Sequence, residues 1–201
     1  MFTGIIEAIG TVKEIISNGS NKSFWVESPI SNEFYVGQSI NHCGVCLTIE
    51  EIKKESHRIT AVKETLTKTN LDNWEPGVLI NLERSVPITG RLDGHLVQGH
   101  VDTTSRCIKR KEKKGSWEFE FELRKKHSLL VAEKDSICVN GISLTTFNLK
   151  RKSFKVAVIP YTFDHTNMHK VLVSDIVNLE FNIIGKYVQR YMSIGNQLKL
   201  K

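Results

Sequence analysis

The chain has 201 residues with a formal net charge of +6, and 40% of its residues are hydrophobic and 25% charged. That balance excludes a disordered or fibrous chain, and 4 prolines with 13 glycines leave no room for a long flexible linker. Apolar runs such as Val78-Leu79-Ile80 and Ile183-Ile184 stop far short of the roughly 18 residues that a transmembrane helix needs.

In chain order, Met1-Phe2-Thr3-Gly4-Ile5-Ile6-Glu7 has no basic start and reaches a carboxylate early, so it does not read as a secretory signal. Together with the thiols Cys43, Cys46, Cys107 and Cys138, this predicts reduced cysteines and a cytoplasmic protein. Strands are expected over 10–16, 24–27, 39–49, 58–62 and 77–83, then over 106–110, 117–123, 136–146, 154–159 and 173–181. The clearest is Trp117–Leu123, which alternates apolar and acidic residues. Close turn signals point to an antiparallel barrel or sandwich in each half. One or two helical turns are expected over 64–71 and 161–169. Lys109–Lys114 is a basic run ending at Gly115; without interleaved aromatics it reads as a solvated hairpin tip, not a nucleic-acid patch. Ile184, Val188 and Met192 recur at i, i+4 and i+8, predicting an amphipathic helix over 183–192 whose stripe must cover a barrel end or a partner subunit.

The chain is written twice. Ser39–Thr48 aligns with Ser136–Thr145 at an offset of 97 residues, with Ser, Ile, Gly, Leu and Thr coinciding. The same offset aligns Glu64–Asn70 with Tyr161–Asn167 and Ile80–Glu83 with Val177–Glu180. Near the start of each copy the offset is 95, matching Thr3–Ile6 to Gln98–Val101. A unit of this length is a small domain rather than a solenoid repeat. Two similar domains are expected, roughly 1–90 and 91–186, with a remainder at 187–201.

Cys43-Gly-Val-Cys46 invites a redox or zinc reading. However, Leu47-Thr48-Ile49 continues as a strand and not as the helix that lowers a thiol pKa, and Cys107 and Cys138 stand alone. The second copy has Asn140 and Ser143 at these places, so the fold needs neither cysteine. Cys46 and Thr48 project to one strand face, as do Ser143 and Thr145, each pair following a glycine (Gly44, Gly141) that permits close backbone approach. Kept twice, this frame points as much to a ligand site in each domain as to packing. In Gly94-His95-Leu96-Val97-Gln98-Gly99-His100-Val101-Asp102 the two histidines would face opposite sides of a regular strand, which disfavours a shared metal and leaves them as proton carriers.

The N-terminal heptapeptide, Gly44–Thr48, Glu64–Leu71, Asn81–Arg84, Gly94–Asp102, Asn140–Thr145 and Gly185–Val188 together resemble riboflavin synthase of the alpha-chain type, in order, from Met1 to about Arg190. The resemblance implies an all-β fold of two six-stranded Greek-key barrels with a C-terminal helix that holds a homotrimer, in which the first domain of one subunit meets the second of its neighbour. It implies a dismutation, without cofactor or metal, of two 6,7-dimethyl-8-ribityllumazine molecules to riboflavin and 5-amino-6-ribitylaminouracil. Association with lumazine synthase is a further expectation. It puts Ser39, Cys46, Thr48 and His100 on the first-domain side of the chemistry and Ser143, Thr145 and Thr162 on the second. Of these, Cys46, His100, Ser39 and Ser143 are the expected catalytic groups. Phe2 would shape the site, and Thr3, Gly4, Ile5, Val62, Glu64, Thr65, His95, Gly99, Lys134, Gly141 and Ile159 would contact substrate. Three positions depart from the family: Cys43 where Asn is frequent, and Asn140 and Asn182 where Asp is usual. The alternative is a lumazine- or flavin-binding protein of the same fold without catalysis. Such a protein would be expected to lose the His95–His100 stretch and Cys46, and both are intact.

Overall fold

A computed structural model describes residues 1–198. In the first half, β1 (Ala8–Asn18), β2 (Asn21–Glu27), β3 (Ser39–His42), β4 (Val45–Thr48), β5 (Glu51–Lys53), β6 (Ser56–Ala61) and β7 (Leu79–Arg84) form one antiparallel sheet, ordered β4-β3-β7-β1-β2-β6-β5. In the second, β8 (Thr103–Lys113), β9 (Ser116–Glu122), β10 (Ser136–Val139), β11 (Ile142–Lys150), β12 (Ser153–Val158) and β13 (Ile176–Phe181) close a barrel, ordered β10-β11-β12-β9-β8-β13. Helices α1 (Lys63–Lys68) and α2 (Pro160–Asp164) precede the last strand of each half, and α3 (Ile183–Leu198) follows.

The fold is all-β with a C-terminal helix, as expected, and the first half differs from a six-stranded barrel in one detail. Its counterpart of β11 is broken at Ile49-Glu50 into β4 and β5, so the sheet is open there. The backbone bonds at the seam persist: Ile49 N–H donates to Gln38 O and Gly37 N–H to Ile49 O, as Thr146 N–H donates to Asp135 O and Lys134 N–H to Thr146 O in the closed barrel.

The two longest expected strands, 39–49 and 136–146, are hairpins. Cys43-Gly44 (φ +50, +90) and Asn140-Gly141 (φ +46, +84) form two-residue turns with both residues left-handed, the conformation that matches strand twist and that Asn-Gly favours. Nor is 94–101 a regular strand; Val97 forms a lone antiparallel bridge with Phe2.

Each half has its own apolar core, around Phe24, Ile40, Ile59, Ile80 and Leu82 in the first and Phe119, Phe121, Phe154, Val156 and Leu179 in the second. Such side chains each contribute about 1.5–3 kcal/mol on burial. The first core also holds two fully buried histidines, His42 and His57, where the second has Val139 and Phe154. Their ring Nε2 atoms are 2.9 Å apart, His42 Nδ1 lies 3.0 Å from Ile40 O, and His57 Nδ1 lies 2.8 Å from Ser31 Oγ, itself 3.0 Å from Ser28 Oγ. A carbonyl only accepts, so His42 Nδ1 carries a proton. With both rings neutral, His57 Nε2 then donates to His42 and Ser31 donates to His57.

The halves meet about a pseudo-two-fold axis. The two glycine turns abut: a Cβ on Gly44 would lie 3.1 Å from Gly141 N, and one on Gly141 would lie 2.9 Å from Gly44 N. Side-chain amides repeat each other across the axis. Asn81 Nδ2 donates to Asn140 O (2.8 Å) and Asn178 Nδ2 to Cys43 O (2.9 Å); Asn167 N–H donates to Asn81 Oδ1 and Asn70 N–H to Asn178 Oδ1 (both 2.7 Å). The symmetry fails at the first residue of the turn. Asn178 N–H donates to Asn140 Oδ1 at 2.8 Å, whereas its twin, Asn81 N–H, has only Cys43 Sγ at 3.2 Å. Burial pushes the Cys43 thiol up to about 12, so this weak acceptor stays protonated. Cys43→Asn places a residue suited to positive φ and a carbonyl acceptor there, and is expected to stabilise by about 1 kcal/mol. Calorimetry should show Tm raised by roughly 2–4 °C; an unchanged or lowered Tm would deny the symmetry reading.

Candidate active site

Two short straps, Phe2–Ile5 and Val97–His100, cross between the halves. They pair with each other through Phe2 N–H to Val97 O (2.7 Å) and Val97 N–H to Phe2 O (3.1 Å). Each is tied by a buried carboxylate on the last strand of its own half. Glu83 on β7 accepts from Thr3 N–H (2.6 Å), Thr3 Oγ1 (2.7 Å) and Gly4 N–H (3.1 Å). Glu180 on β13 accepts from Gln98, Gly99 and His100 N–H (2.7, 2.9 and 2.9 Å). Burial raises both carboxyls above their ordinary values.

Each strap lies on a strand of the opposite half. Gly4 O accepts from Ser143 N–H on β11, and Gly99 O accepts from Cys46 N–H on β4, both at 2.8 Å. Both glycines have φ +78, and a Cβ on Gly4 or Gly99 would lie 2.7 Å from Ser143 Cβ or 2.6 Å from Cys46 Cβ. Only glycine fits, for conformation and for space.

The second half therefore carries one site. Lys134, Ser143, Leu144, Thr145, Phe147, Ala157, Ile159 and Thr162 line a cavity of about 300 Å³, with the Gly4 strap beside it. His95 Nδ1 lies 2.7 Å from Ser143 Oγ, while its backbone N–H donates to Thr3 O. Burial lowers the His95 pKa, so the ring is a neutral proton acceptor at neutral pH. On the first half, Cys46 and Thr48 share a face of β4, with Ser39 directly opposite Thr48 and the exposed His100 arriving on the Gly99 strap. The half-exposed Val62 and the exposed Glu64 stand at α1 with Thr65.

Several expected site residues fall elsewhere than the sequence suggests. Thr3 and Gly4 lie against His95 and Ser143 of the second half, with Ile5 next in the strap, although they open the first copy. Phe2 is fully buried against Val97, Cys138 and Cys46 and supports the straps from beneath. Gly141 packs on the Gly44 turn at the axis, where its close approach is to the first copy. Cys43 faces the opposite half while Cys46 meets the strap, so the C-x-x-C thiols serve different surroundings. At the second half's cavity the histidine–hydroxyl contact is His95–Ser143, which the sequence does not pair. Asn182 caps α3, its Oδ1 accepting from Ile184 N–H (3.1 Å) while its Nδ2 donates to Asp135 Oδ1 (3.0 Å). In the basic hairpin, Lys109 and Lys111 stand opposite Glu120 and Glu118 in the β8–β9 ladder. Among the described residues no helix is long and apolar enough to cross a membrane.

The lumazine binding domain matches this chain twice, over residues 3–85 and 98–182. This is a protein of two lumazine-binding repeats. A solved structure titled LumP complexed with riboflavin superposes with TM-score 0.85 at 21% identity over 90% of this chain and 99% of that one, and LumP with 6,7-dimethyl-8-(1'-D-ribityl) lumazine gives 0.83 at 18% over the same shares; these establish the fold. Riboflavin synthases are more similar in sequence. That of Bacillus subtilis is 32% identical over 99% of this chain and 93% of its own, that of Saccharomyces cerevisiae 34% over 100% and 91%, and that of Mycobacterium bovis 37% over 96% and 98%. The chain belongs to the riboflavin synthase family, and its function is riboflavin synthesis.

Proposed function

We propose that the protein joins two molecules of 6,7-dimethyl-8-ribityllumazine, one giving four carbons to the other, to form riboflavin and 5-amino-6-ribitylaminouracil. The observation that carries this reading is one frame built twice with unlike equipment: Cys46 beneath the Gly99 strap, and Ser143 with His95 beneath the Gly4 strap. A dismutation needs two like pockets that treat identical molecules differently. In the second pocket, Ser143 Oγ can bond to the electron-poor ring of one lumazine as its proton passes to His95 Nδ1 and the displaced electron pair rests on the ring; expelling Ser143 returns the proton. Holding two rings in register supplies up to ~7–11 kcal/mol of the barrier.

Both straps stand between the two pockets of one chain, so a pocket of one subunit serves with the unlike pocket of a neighbour. The division falls near residue 90, with the helical remainder assembling the subunits. On α3, Ile184, Val188 and Met192 are each more than half exposed, an apolar stripe suited to a trimer. The assembly is cytoplasmic, and a shared substrate would favour docking to lumazine synthase.

Purified protein given the lumazine alone should form riboflavin and the pyrimidine product in equal amounts. His95→Asn should lower kcat by about 100-fold or more, within the range for general acid–base groups, with lumazine Kd nearly unchanged. Ligand binding without product would instead identify a binding protein of this fold.

A further inference from the structure

By strand position, each buried carboxylate belongs with its own half's site. Asn41 stands opposite both Glu83 and Cys46 in the ladders of β3, and Cys138 opposite both Glu180 and Ser143 in those of β10. Their hydrogen bonds lead to the other site. Glu83 Oε1 accepts from Thr3 N–H (2.6 Å) and Thr3 Oγ1 (2.7 Å), and Oε2 from Gly4 N–H (3.1 Å). Thr3 O in turn accepts from His95 N–H (3.0 Å) and Gly4 O from Ser143 N–H (2.8 Å), while His95 Nδ1 lies 2.7 Å from Ser143 Oγ. The contacts close a ring through Glu83, Thr3, His95, Ser143 and Gly4, so neither member of the His95–Ser143 pair can shift alone. Gly94 completes the fit: a Cβ there would lie 2.1 Å from Thr3 O and 3.0 Å from Ser143 Cβ, so the segment that delivers His95 packs on both. Glu180 repeats the arrangement. It accepts from Gln98, Gly99 and His100 N–H, and Gly99 O accepts from Cys46 N–H of the first half.

We propose that the two carboxylates are positioning residues that act crosswise: Glu83, on the first half, sets the geometry of the His95–Ser143 pocket, and Glu180, on the second, that of the Cys46–His100 pocket. This deepens the functional reading above and rests on it. Neither carboxylate bonds to His95, Ser143 or Cys46 itself; Glu83 acts through Thr3 and Gly4, Glu180 through Gly99 and the His100 backbone. A strap outside any sheet has no ladder to hold it. A carboxylate that accepts three donors at once, in bonds stronger than those to a neutral acceptor, supplies that hold. Each site is thus completed by the half that does not carry its strand.

The test uses Glu83→Gln and Glu180→Gln, which keep the shape but set an NH2 group against strap N–H donors. Each should lower kcat about tenfold or more, because small displacements of a reacting pair are costly, and leave lumazine KM nearly unchanged. Joint refolding with pocket-specific variants then reports which site is damaged. Gly99→Ala spoils the Cys46 pocket and Ser143→Ala the other. Glu83→Gln should regain activity with Gly99→Ala and not with Ser143→Ala, and Glu180→Gln should do the reverse. The opposite sorting, with each carboxylate serving the half that carries it, or an undiminished kcat, would overturn the proposal. Thr3→Val, which removes the hydroxyl donor to Glu83 and leaves the buried carboxylate in place, must sort as Glu83→Gln does, and it decides the matter should Glu83→Gln not fold. Should the wild-type protein make no riboflavin, or Gly99→Ala and Ser143→Ala fail to restore each other, the reaction reading fails by itself. The anchors are then read from histidine ring signals by NMR: Glu83→Gln must move those of His95 and leave those of His100, and Glu180→Gln the converse. Any other pattern refutes the crosswise assignment.

Discussion

Gly99→Ala abolishes most of the activity while leaving both halves folded. At φ +78 an alanine pays about 1–2 kcal/mol for the left-handed backbone alone. Its methyl would also lie 2.6 Å from Cys46 Cβ and 2.9 Å from Cys46 N, and a strand backbone cannot move away cheaply. The strap lifts instead, weakening Gly99 O···H–N Cys46 and drawing three N–H donors from the buried Glu180 carboxylate. A displacement of about 1 Å at a reacting pair costs on the order of 100-fold in rate, and at least that loss in kcat is expected. Gly4→Ala should do the same to the Ser143 pocket, since its methyl would lie 2.7 Å from Ser143 N. Gly19→Ala is the control: it also has positive φ (+60) but meets nothing within 4 Å, so it should lower Tm slightly and leave kcat alone. Full activity in Gly99→Ala with unchanged circular dichroism would mean the straps do not shape the sites.

Acid should open the first half before the second. Burial holds His57 at about 4 and His42 well below its ordinary value. Both folded-state pKa values lie below the unfolded one, so unfolding takes up protons. Stability is fully present above about pH 6.5 and is lost as pH falls from there through the folded values. His57 alone accounts for on the order of 3 kcal/mol across that window, and His42 adds in the same direction. Glu83 and Glu180 act in the opposite sense, one in each half; burial lowers His95 and His127 of the second half too, but neither is fully buried as His42 and His57 are, so the first half loses more. Trp74, buried against Phe24, reports on the first half, and Trp117, stacked on Phe163, on the second. Between pH 6.5 and 4.5 the urea midpoint read at Trp74 should fall well ahead of that at Trp117. His42→Val with His57→Phe, the pair that the second half uses, should remove the difference. Coincident midpoints at every pH would contradict the assignment.

Much of this architecture was legible in the sequence because a duplication exposes which positions matter. The 97-residue offset lined up Asn70 with Asn167 and Asn81 with Asn178 before their hydrogen bonds across the axis could be seen. The Gly-x-x-Leu-Thr frame marked both site strands. Asn140-Gly141 is a strong short turn signal, but the strand-like residues on both sides of it blend into one run, and Cys43 in place of Asn conceals the same turn in the first copy. The strap crossing was not legible at all. No local pattern tells that Thr3 and Gly4 are held by Glu83 yet cover Ser143, so His95 and Ser143, 48 residues apart, are paired only by the tertiary structure. The His42–His57 pair is not legible because each histidine is isolated in sequence and the other copy has Val139 and Phe154 there.

In the proposed reaction the unlike pockets of two different chains form one site. Subunit complementation tests it most directly: Gly99→Ala and Ser143→Ala variants, each nearly inactive, are mixed by joint refolding and assayed with the lumazine as sole substrate. In mixed oligomers the intact Ser143 pocket of one variant meets the intact Cys46 pocket of the other, so activity well above either variant alone is expected. Activity no greater than the average of the two variants would contradict the account.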